Sequence, residues 1–541
     1  VGPAWDRGTA QASDGGTGPA WDRDTAQASD RGTARDHDRD TADRSMPPVD
    51  AWLYRHQTDG AMCMTIGMLA RFHGPAPALG ELRARVRERW CCLPRLCAVP
   101  LERPWPRWSS ARRPPDPDLH VVDHTGCDRQ DPDQDRGADD RADTLVATLL
   151  SQPLDGACDV RDFDGFDDLD DLHDCNDFDG SGDLAGSGSG GGGGDMAGSC
   201  DGHGVGDGGR DGGGDGVGDG GGADRVPPWR LHLLPAADGF ALLLRAHHAL
   251  LDGKALITLL RILLDGPGAY PLPPAAAHLA EPFALPPVPR SARLRAAAGL
   301  LPAGRRLPFH VRVGDGRALA WSEVPVTALR EARRALPGDP ASVNSVFLAA
   351  VAAALGSTGA LGPRPGLPGV RAMVPVDLRS PLDEAFLGNH YATVRLPLPT
   401  ATAVSPQERL AAVDAASRRA ARHGLAPAQA LMVRRSSRRR GPVRDAFARY
   451  ADSPRYSSLL CSNVRTGAAA LALGGATLDR LTAVPALSPE HPVALSLTTH
   501  GATSVVAVLT DTAHAALGAL LADRVRDEVH ALRAAALDRP E

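Results

Sequence analysis

Apolar and polar positions alternate along this chain with two periods, and each period marks an element. Met62, Met64, Ile66 and Met68 recur at every second residue, as in a strand, while Leu79 to Trp90 spaces its apolar residues by three or four, as in an amphipathic helix. Val49 to Leu53 begins a short helix or turn, and Asp118 to Val122 reads as a further short strand. After a long interruption, Val226 to Leu234 reads as a strand, and a turn at Asp238-Gly239 leads into Phe240–Ala246. That segment is apolar on both faces and is therefore expected at the centre of a sheet. A helix follows, with Asp252 as N-cap, Leu256, Leu259, Leu260 and Leu263 on one side, and Gly266-Pro267 as the stop.

The second half repeats the mixture. Strands are expected at Arg317–Val326, Val370–Val376, Tyr391–Leu398, Ser457–Asn463, Val493–Thr499 and Val505–Leu509. Helices are expected after a Ser342 cap, from the capping box Ser405-Pro406-Gln407-Glu408 to Gly424, and over Leu517–Leu537. Strands and helices interleave without strict βαβ regularity, which predicts a mixed α/β sandwich of two similar halves.

Two stretches lack periodicity. Residues 1–45 hold a near-exact tandem repeat (Gly2 to Asp14, again from Gly18 to Asp30), polar and unable to bury a core; they are expected to be disordered, with Met46 as the expected initiator. Residues 127–225 are expected to be a solvated low-complexity acidic and Gly-rich insertion, with a surviving helix near 143–152. Its acidic positions do not match a calcium loop: Val160 and Cys175 stand where the first ligands before Gly165 and Gly180 would be. The expected organisation is thus 46–126 with 226–266 as an N-terminal subdomain, a linker over 267–290, and 291–541 as a C-terminal subdomain.

Composition narrows the function. A net charge of -7 argues against a general nucleic-acid binder, and 43% apolar content suffices for real cores. Nine cysteines form no CxxC pair, so neither a zinc site nor a disulfide framework is indicated. Neither a signal peptide nor an apolar run of 18 residues is found, so the expected location is the cytoplasm. The arginine run Arg434-Arg435, Arg438-Arg439-Arg440 reads either as a solvated basic face or as a contact for anionic headgroups or CoA phosphates. The latter would bring the protein to the inner membrane face or to lipid bodies.

Chemistry concentrates in His247-His248-Ala249-Leu250-Leu251-Asp252-Gly253, or HHxxxDG, at the junction of the apolar strand and the next helix. Such a match arises in roughly one of a hundred shuffled chains of this composition. A neutral imidazole takes a proton from an alcohol, amine or thiol near neutral pH. No G-x-S-x-G elbow is found, and a base without a protein nucleophile favours direct transfer between two bound substrates. The alternative is a structural histidine pair at a strand end.

HHxxxDG is shared by CoA-dependent acyltransferases of the chloramphenicol acetyltransferase-like fold, including peptide-synthetase condensation domains. The flanks resemble the bacterial wax ester synthase/acyl-CoA:diacylglycerol acyltransferase family. The stretches that carry the resemblance are Met46-Pro47-Pro48-Val49-Asp50-Ala51-Trp52-Leu53, Pro227-Pro228-Trp229, Val343 to Val351, Arg371 to Arg379, Gly388-Asn389 and Ser462-Asn463-Val464. Ser345, Pro228 and Arg465-Thr466 depart from that family's pattern. The resemblance implies two chloramphenicol acetyltransferase-like subdomains with a tunnel between them. Acyl-CoA would enter as co-substrate, with no other cofactor and no metal, and would meet diacylglycerol or a long-chain alcohol. It implies His248 as general base, His247 for packing and orientation, and Asp252 holding the loop through Arg371 or Arg379. The Gly253 amide or the Asn344 side chain would stabilise the oxyanion, and Trp229 and Arg371 would join Asn344 in substrate binding. Two other readings stand beside it: a condensation-type or polyketide-associated acyltransferase, and a non-catalytic lipid-binding relative.

Overall fold

The structure is a computed structural model that describes residues 44–55, 64–101, 106–110, 114–125, 138–154, 226–266, 285–301, 303–362, 368–436, 442–467 and 469–538. The repeat at 2–30, the calcium-loop region and the Gly/Asp tract lie outside the described residues.

Two six-stranded sheets organise the fold. In chain order their strands are β1 (Thr65–His73), β2 (Val121–Asp123), β3 (Trp229–Ala236), β4 (Gly239–His247), β5 (Arg317–Pro325), β6 (Arg371–Asp377), β7 (Tyr391–Pro397), β8 (Leu459–Arg465), β9 (Ala472–Leu473), β10 (Ala476–Val484), β11 (Val493–His500) and β12 (Thr503–Asp511). The first sheet has the order β9-β10-β1-β4-β3-β2 and the second β7-β6-β8-β11-β12-β5. Strand β4, which ends in the paired histidines, is central as its two apolar faces predict: Thr65 pairs with His247 on one side and Trp229 with Ala246 on the other. At its other end Gly239 is obligatory, because a Cβ there would lie 2.1 Å from the Phe72 carbonyl oxygen.

The helices that position the site are α1 (Pro48–Arg55), α2 (Ala138–Ser151), α3 (Gly253–Leu263), α4 (Val343–Ser357), α5 (Leu425–Ser436) and α6 (Pro442–Asp452). Helix α3 opens as its sequence predicts: the Asp252 carboxylate accepts from the Ala255 amide at 2.9 Å, and an almost wholly buried apolar face follows. The Ser342 cap and the Ser405/Glu408 capping box are also formed.

Two features move the expected boundaries. Residues 138–151, placed in the insertion above, form α2, whose Val146, Leu149 and Leu150 pack with Leu69, Ala241 and Leu243 of the first sheet and with Ala494 and Leu509 of the second. Asp143 pairs with Arg71 and accepts from the Trp321 indole, so this helix ties one sheet to the other. Second, β9 and β10 come from the stretch expected to be wholly C-terminal, yet β10 pairs antiparallel with β1 and completes the N-terminal sheet. A bulge between Leu478 and Arg480 explains why this strand is hard to read from sequence. It puts the buried Leu478 and Leu481 three residues apart, and so breaks the period of two.

Candidate active site

The turn after β4 carries the histidines, and its geometry divides their work. The His248 backbone amide donates to the Met64 carbonyl at 2.7 Å, which fixes the turn to the end of β1. His248 Nδ1 lies 3.2 Å from the Leu251 carbonyl oxygen. A carbonyl only accepts, so Nδ1 carries the proton and Nε2 keeps the lone pair. Burial holds the imidazole below its ordinary pKa against the opposing pull of Asp252 and the backbone carbonyls, so it stays neutral and basic at neutral pH. The Tyr391 ring lies across it at 5.8 Å between centroids. His247 points into the protein. Its Nδ1 accepts from the Ala249 amide at 3.0 Å, and burial drives its pKa down to about 3.

Asp252 lines the cavity beside His248, with its carboxylate engaged by structural partners. Its carboxylate caps α3, receives the His390 amide at 3.1 Å, and takes Arg379 Nη2 at 2.9 Å on both oxygens. Of the two arginines expected to hold it, Arg379 is the partner. That guanidinium also donates to the carbonyls of Phe386 and Gly388 and to Asp377, so it bolts the motif to the end of β6 in the other half.

A second frame lies behind the turn. Asp50, fully buried on α1, accepts from Arg95 at 2.6 Å, from the Trp108 indole at 3.0 Å and from Asn389 Nδ2 at 3.0 Å. Burial pushes this carboxyl up by more than those three donors bring it down. Arg95 reaches the carbonyls of Ala249 and Leu250, at 3.0 and 2.7 Å, and lies over the Trp108 ring. Asn389 Nδ2 faces the carbonyls of His248 and Ala249 at 2.8 and 3.0 Å. Arg95 carries no motif and is invisible in the sequence. Asp50 and Asn389 stand in the stretches that carry the family resemblance, but nothing in the sequence assigns them a task.

His248 opens onto a cavity of ≈ 350 Å³ lined by both halves: Gly253 and Lys254 from one side, Asn463, Val464 and Arg465 from the other. That is a small-molecule volume. An apolar chamber adjoins it, walled by Trp52, Met432 and Phe447 among others, and Leu53, Met64, Met373 and Tyr391 line both spaces. Gly253 is needed neither for its backbone angles nor for packing, since a Cβ there would meet only Val464 at 3.8 Å. What its missing side chain leaves clear is the cavity. It lies in the first turn of α3, where amide N–H groups have no intrahelical acceptor.

The remaining expected residues lie elsewhere. Trp229 is completely buried, stacked on His120 and donating to the Leu96 carbonyl at 3.0 Å, so it packs the core beneath β4. Arg371 and Asn344 do not line either cavity. Ser345, beside Asn344, is buried in a local network with Ser342 and Asp414 at the start of α4. Asn463, which stands in the Ser462-Asn463-Val464 stretch without a task assigned to it, also lines the cavity, and its Oδ1 has no hydrogen-bond partner among the described residues. Among the described residues no cluster of three or more His, Cys, Asp or Glu could hold a metal, and no helix is long and apolar enough to cross a membrane.

Residues 387–533 match the family model of the WS/DGAT C-terminal domain. None of the curated proteins matches the chain in sequence. Among solved structures, the wax ester synthase/diacylglycerol acyltransferase from Marinobacter aquaeolei VT8 is similar with a TM-score of 0.54 at 16% identity, covering 91% of this chain and 99% of that one. The first condensation domain of the calcium-dependent antibiotic synthetase, solved with a substrate analogue, has a TM-score of 0.55 at 14% identity, covering 92% and 97%. The starter condensation domain of rhizomide synthetase RzmA, a mutant solved with C8-CoA and Leu-SNAC, has 0.54 at 13%, covering 94% and 97%. The shared property is the fold: two subdomains of the chloramphenicol acetyltransferase-like type.

Replacing Asp252 by Asn leaves the Arg379 charge buried with only the half-exposed Asp377 as ionic partner. The expected loss of unfolding free energy is about 3 kcal/mol in urea titration, since breaking one side of a buried pair is strongly destabilising. An unchanged midpoint would mean that Asp377 alone satisfies the arginine.

Proposed function

We propose that this chain, which carries a WS/DGAT C-terminal domain at residues 387–533, is an O-acyltransferase that moves a fatty acyl group from acyl-CoA to a hydroxyl of diacylglycerol or a long-chain alcohol. One observation carries the reading: His248 lines a cavity built from both halves, and its Nδ1 faces the Leu251 carbonyl, which leaves the lone pair on Nε2. In this reading Nε2 takes the proton of the acceptor hydroxyl as its oxygen attacks the thioester carbon. The carbon–sulfur bond then breaks, and the imidazolium returns the proton to the thiolate, releasing ester and free CoA. The amide of Gly253 and the carboxamide of Asn463 stand on the cavity wall as donors for the oxyanion. Arg465, and Lys254 in its ion pair with Glu384, give the cavity cations suited to CoA phosphates, and the adjoining chamber gives an alkyl chain apolar cover. Substrate delivery from the inner membrane face or lipid bodies, through Arg434 and Arg435, belongs to the same proposal.

The test is CoA release from palmitoyl-CoA with diolein or hexadecanol. Wild-type protein should turn over at least one acceptor, and His248→Ala should lose roughly 10²- to 10⁴-fold in rate. Activity unaffected by that change would sink the base assignment. Because burial lowers the His248 pKa, the acid limb of kcat/KM should fall with a midpoint below 6.5, with neutral pH on the plateau. A midpoint above 6.5 would point to a different base. Gly253→Ala should leave thermal stability unchanged or slightly raised, since a helical alanine fits the available space, yet slow turnover by crowding the cavity. Equal loss of stability and activity would make Gly253 a folding residue.

A further inference from the structure

The helix Arg290–Ala298 wears its residues the wrong way round for a domain surrounded by water. Its buried positions are small: Ala292 and Ala296 pack with Ala428 of α5. Its one large apolar side chain, Leu294, is 72% exposed. Two helix-like turns carry the chain on, with the Leu300 amide donating to the Ala297 carbonyl at 3.0 Å and the Leu301 amide to the Ala298 carbonyl at 3.2 Å. Leu301 is 83% exposed, and these two leucines are the most exposed large apolar residues among the described ones. Seven residues apart, they fall on one side of the segment. A surface helix normally puts such residues toward the core.

The place of this segment gives the leucines a partner. Arg395 Nη1 donates to the Gly299 carbonyl at 2.7 Å and the Tyr450 hydroxyl to the Leu300 carbonyl at 2.6 Å, so the segment's end is fixed to β7 and α6. Leu300 lines the chamber that adjoins the His248 cavity, while Leu301 beside it stands in solvent. Neither residues 285–301 nor α5, which packs on this helix, contains an acid, and Arg290, Arg295 and Arg435 are exposed. We infer that this face docks on an anionic lipid surface, with Leu294 and Leu301 entering the acyl region and the three arginines meeting the phosphates. Isolated leucines among long basic side chains suit a fluid bilayer, which moulds around them without a complementary pocket. The inference deepens the acyltransferase reading by placing the collection of its lipid acceptor at the chamber wall, but docking itself requires no turnover.

Co-sedimentation with vesicles in the absence of acyl-CoA tests it. The wild-type protein should bind phosphatidylcholine mixed with phosphatidylglycerol more tightly than phosphatidylcholine alone. Leu294→Ser combined with Leu301→Ser should weaken that binding roughly tenfold or more, through lost apolar insertion. Both side chains are exposed, so the fold should persist, and Leu119→Ser with Leu537→Ser, at exposed leucines elsewhere, should bind as wild type. Arg290→Gln with Arg295→Gln should weaken binding roughly fivefold or more and flatten its salt dependence. Leu301→Trp should be quenched by vesicles with brominated acyl chains, and Leu537→Trp should not. Absent or charge-blind binding by the wild type, undiminished binding by the double leucine variant, or an unquenched Leu301→Trp overturns the inference. A double leucine variant that loses self-association but keeps its vesicle binding overturns it too, because the face then joins two copies. A protein that releases CoA from palmitoyl-CoA with hexadecanol yet binds no vesicle sinks this docking face alone, whereas vesicle binding without turnover sinks only the acyltransferase reading.

Discussion

Three consecutive backbone carbonyls, those of His248, Ala249 and Leu250, are held from behind by two side chains, Arg95 and Asn389, and both of these converge on the buried Asp50. The rest of the site depends on this arrangement. A histidine at the end of a strand is free to swing with its turn, and a base displaced by an ångström is a poor base. Here the turn is fixed by charge-assisted donors on one side and by the Met64 carbonyl on the other. The carboxylate that makes this possible comes from α1, the arginine from the segment just before a small outer strand, and the amide from the loop ahead of β7. The clamp is therefore assembled from both halves, and it forms only when they are docked.

The Asp252–Arg379 pair works at right angles to that clamp in purpose. It sets the direction of α3, and with it the Gly253 amide, against the second half. The Asp252–Arg379 pair and the Asn389 contacts cross the seam, and the cavity is lined from both of its sides. Its basic side and its apolar side differ in the ligand they suit: the first matches a charged, hydrated head and the second matches a hydrocarbon. His248 stands with Tyr391 where the two environments meet.

Much of this was legible in the sequence, because the relevant signals are local. The apolar run of β4, the Asp252 cap and the Ser405 box each act within one turn of chain, and each is formed as expected. The choice of Arg379 over Arg371 could not be read, since both lie on the same strand and its extension, and only the docking of halves decides between them. Trp229 illustrates a different limit. An aromatic beside a motif reads as a binding residue, yet its burial and its bond to Leu96 make it core. Arg95 carries no spacing signal at all, since its role comes from contacts more than forty residues distant, and Asn463 stands in a recognised stretch that does not reveal the cavity it lines. The β10 bulge hid a strand by imitating a helical interval.

That strand also governs the order in which the molecule can be completed. Strand β1 lies near the beginning of the described chain, but its outer edge stays unpaired until β10, about 400 residues later, is available to cover it. On a ribosome the histidine strand and its turn emerge long before the partner that closes their sheet. The loop to be closed is long, so closure is slow and entropically opposed until apolar contacts repay it. Throughout synthesis the nascent first half presents an open, apolar β-edge, the kind of surface that templates association between chains. The clamped His248 turn thus arrives last, as a property of both halves together rather than of the segment that encodes it.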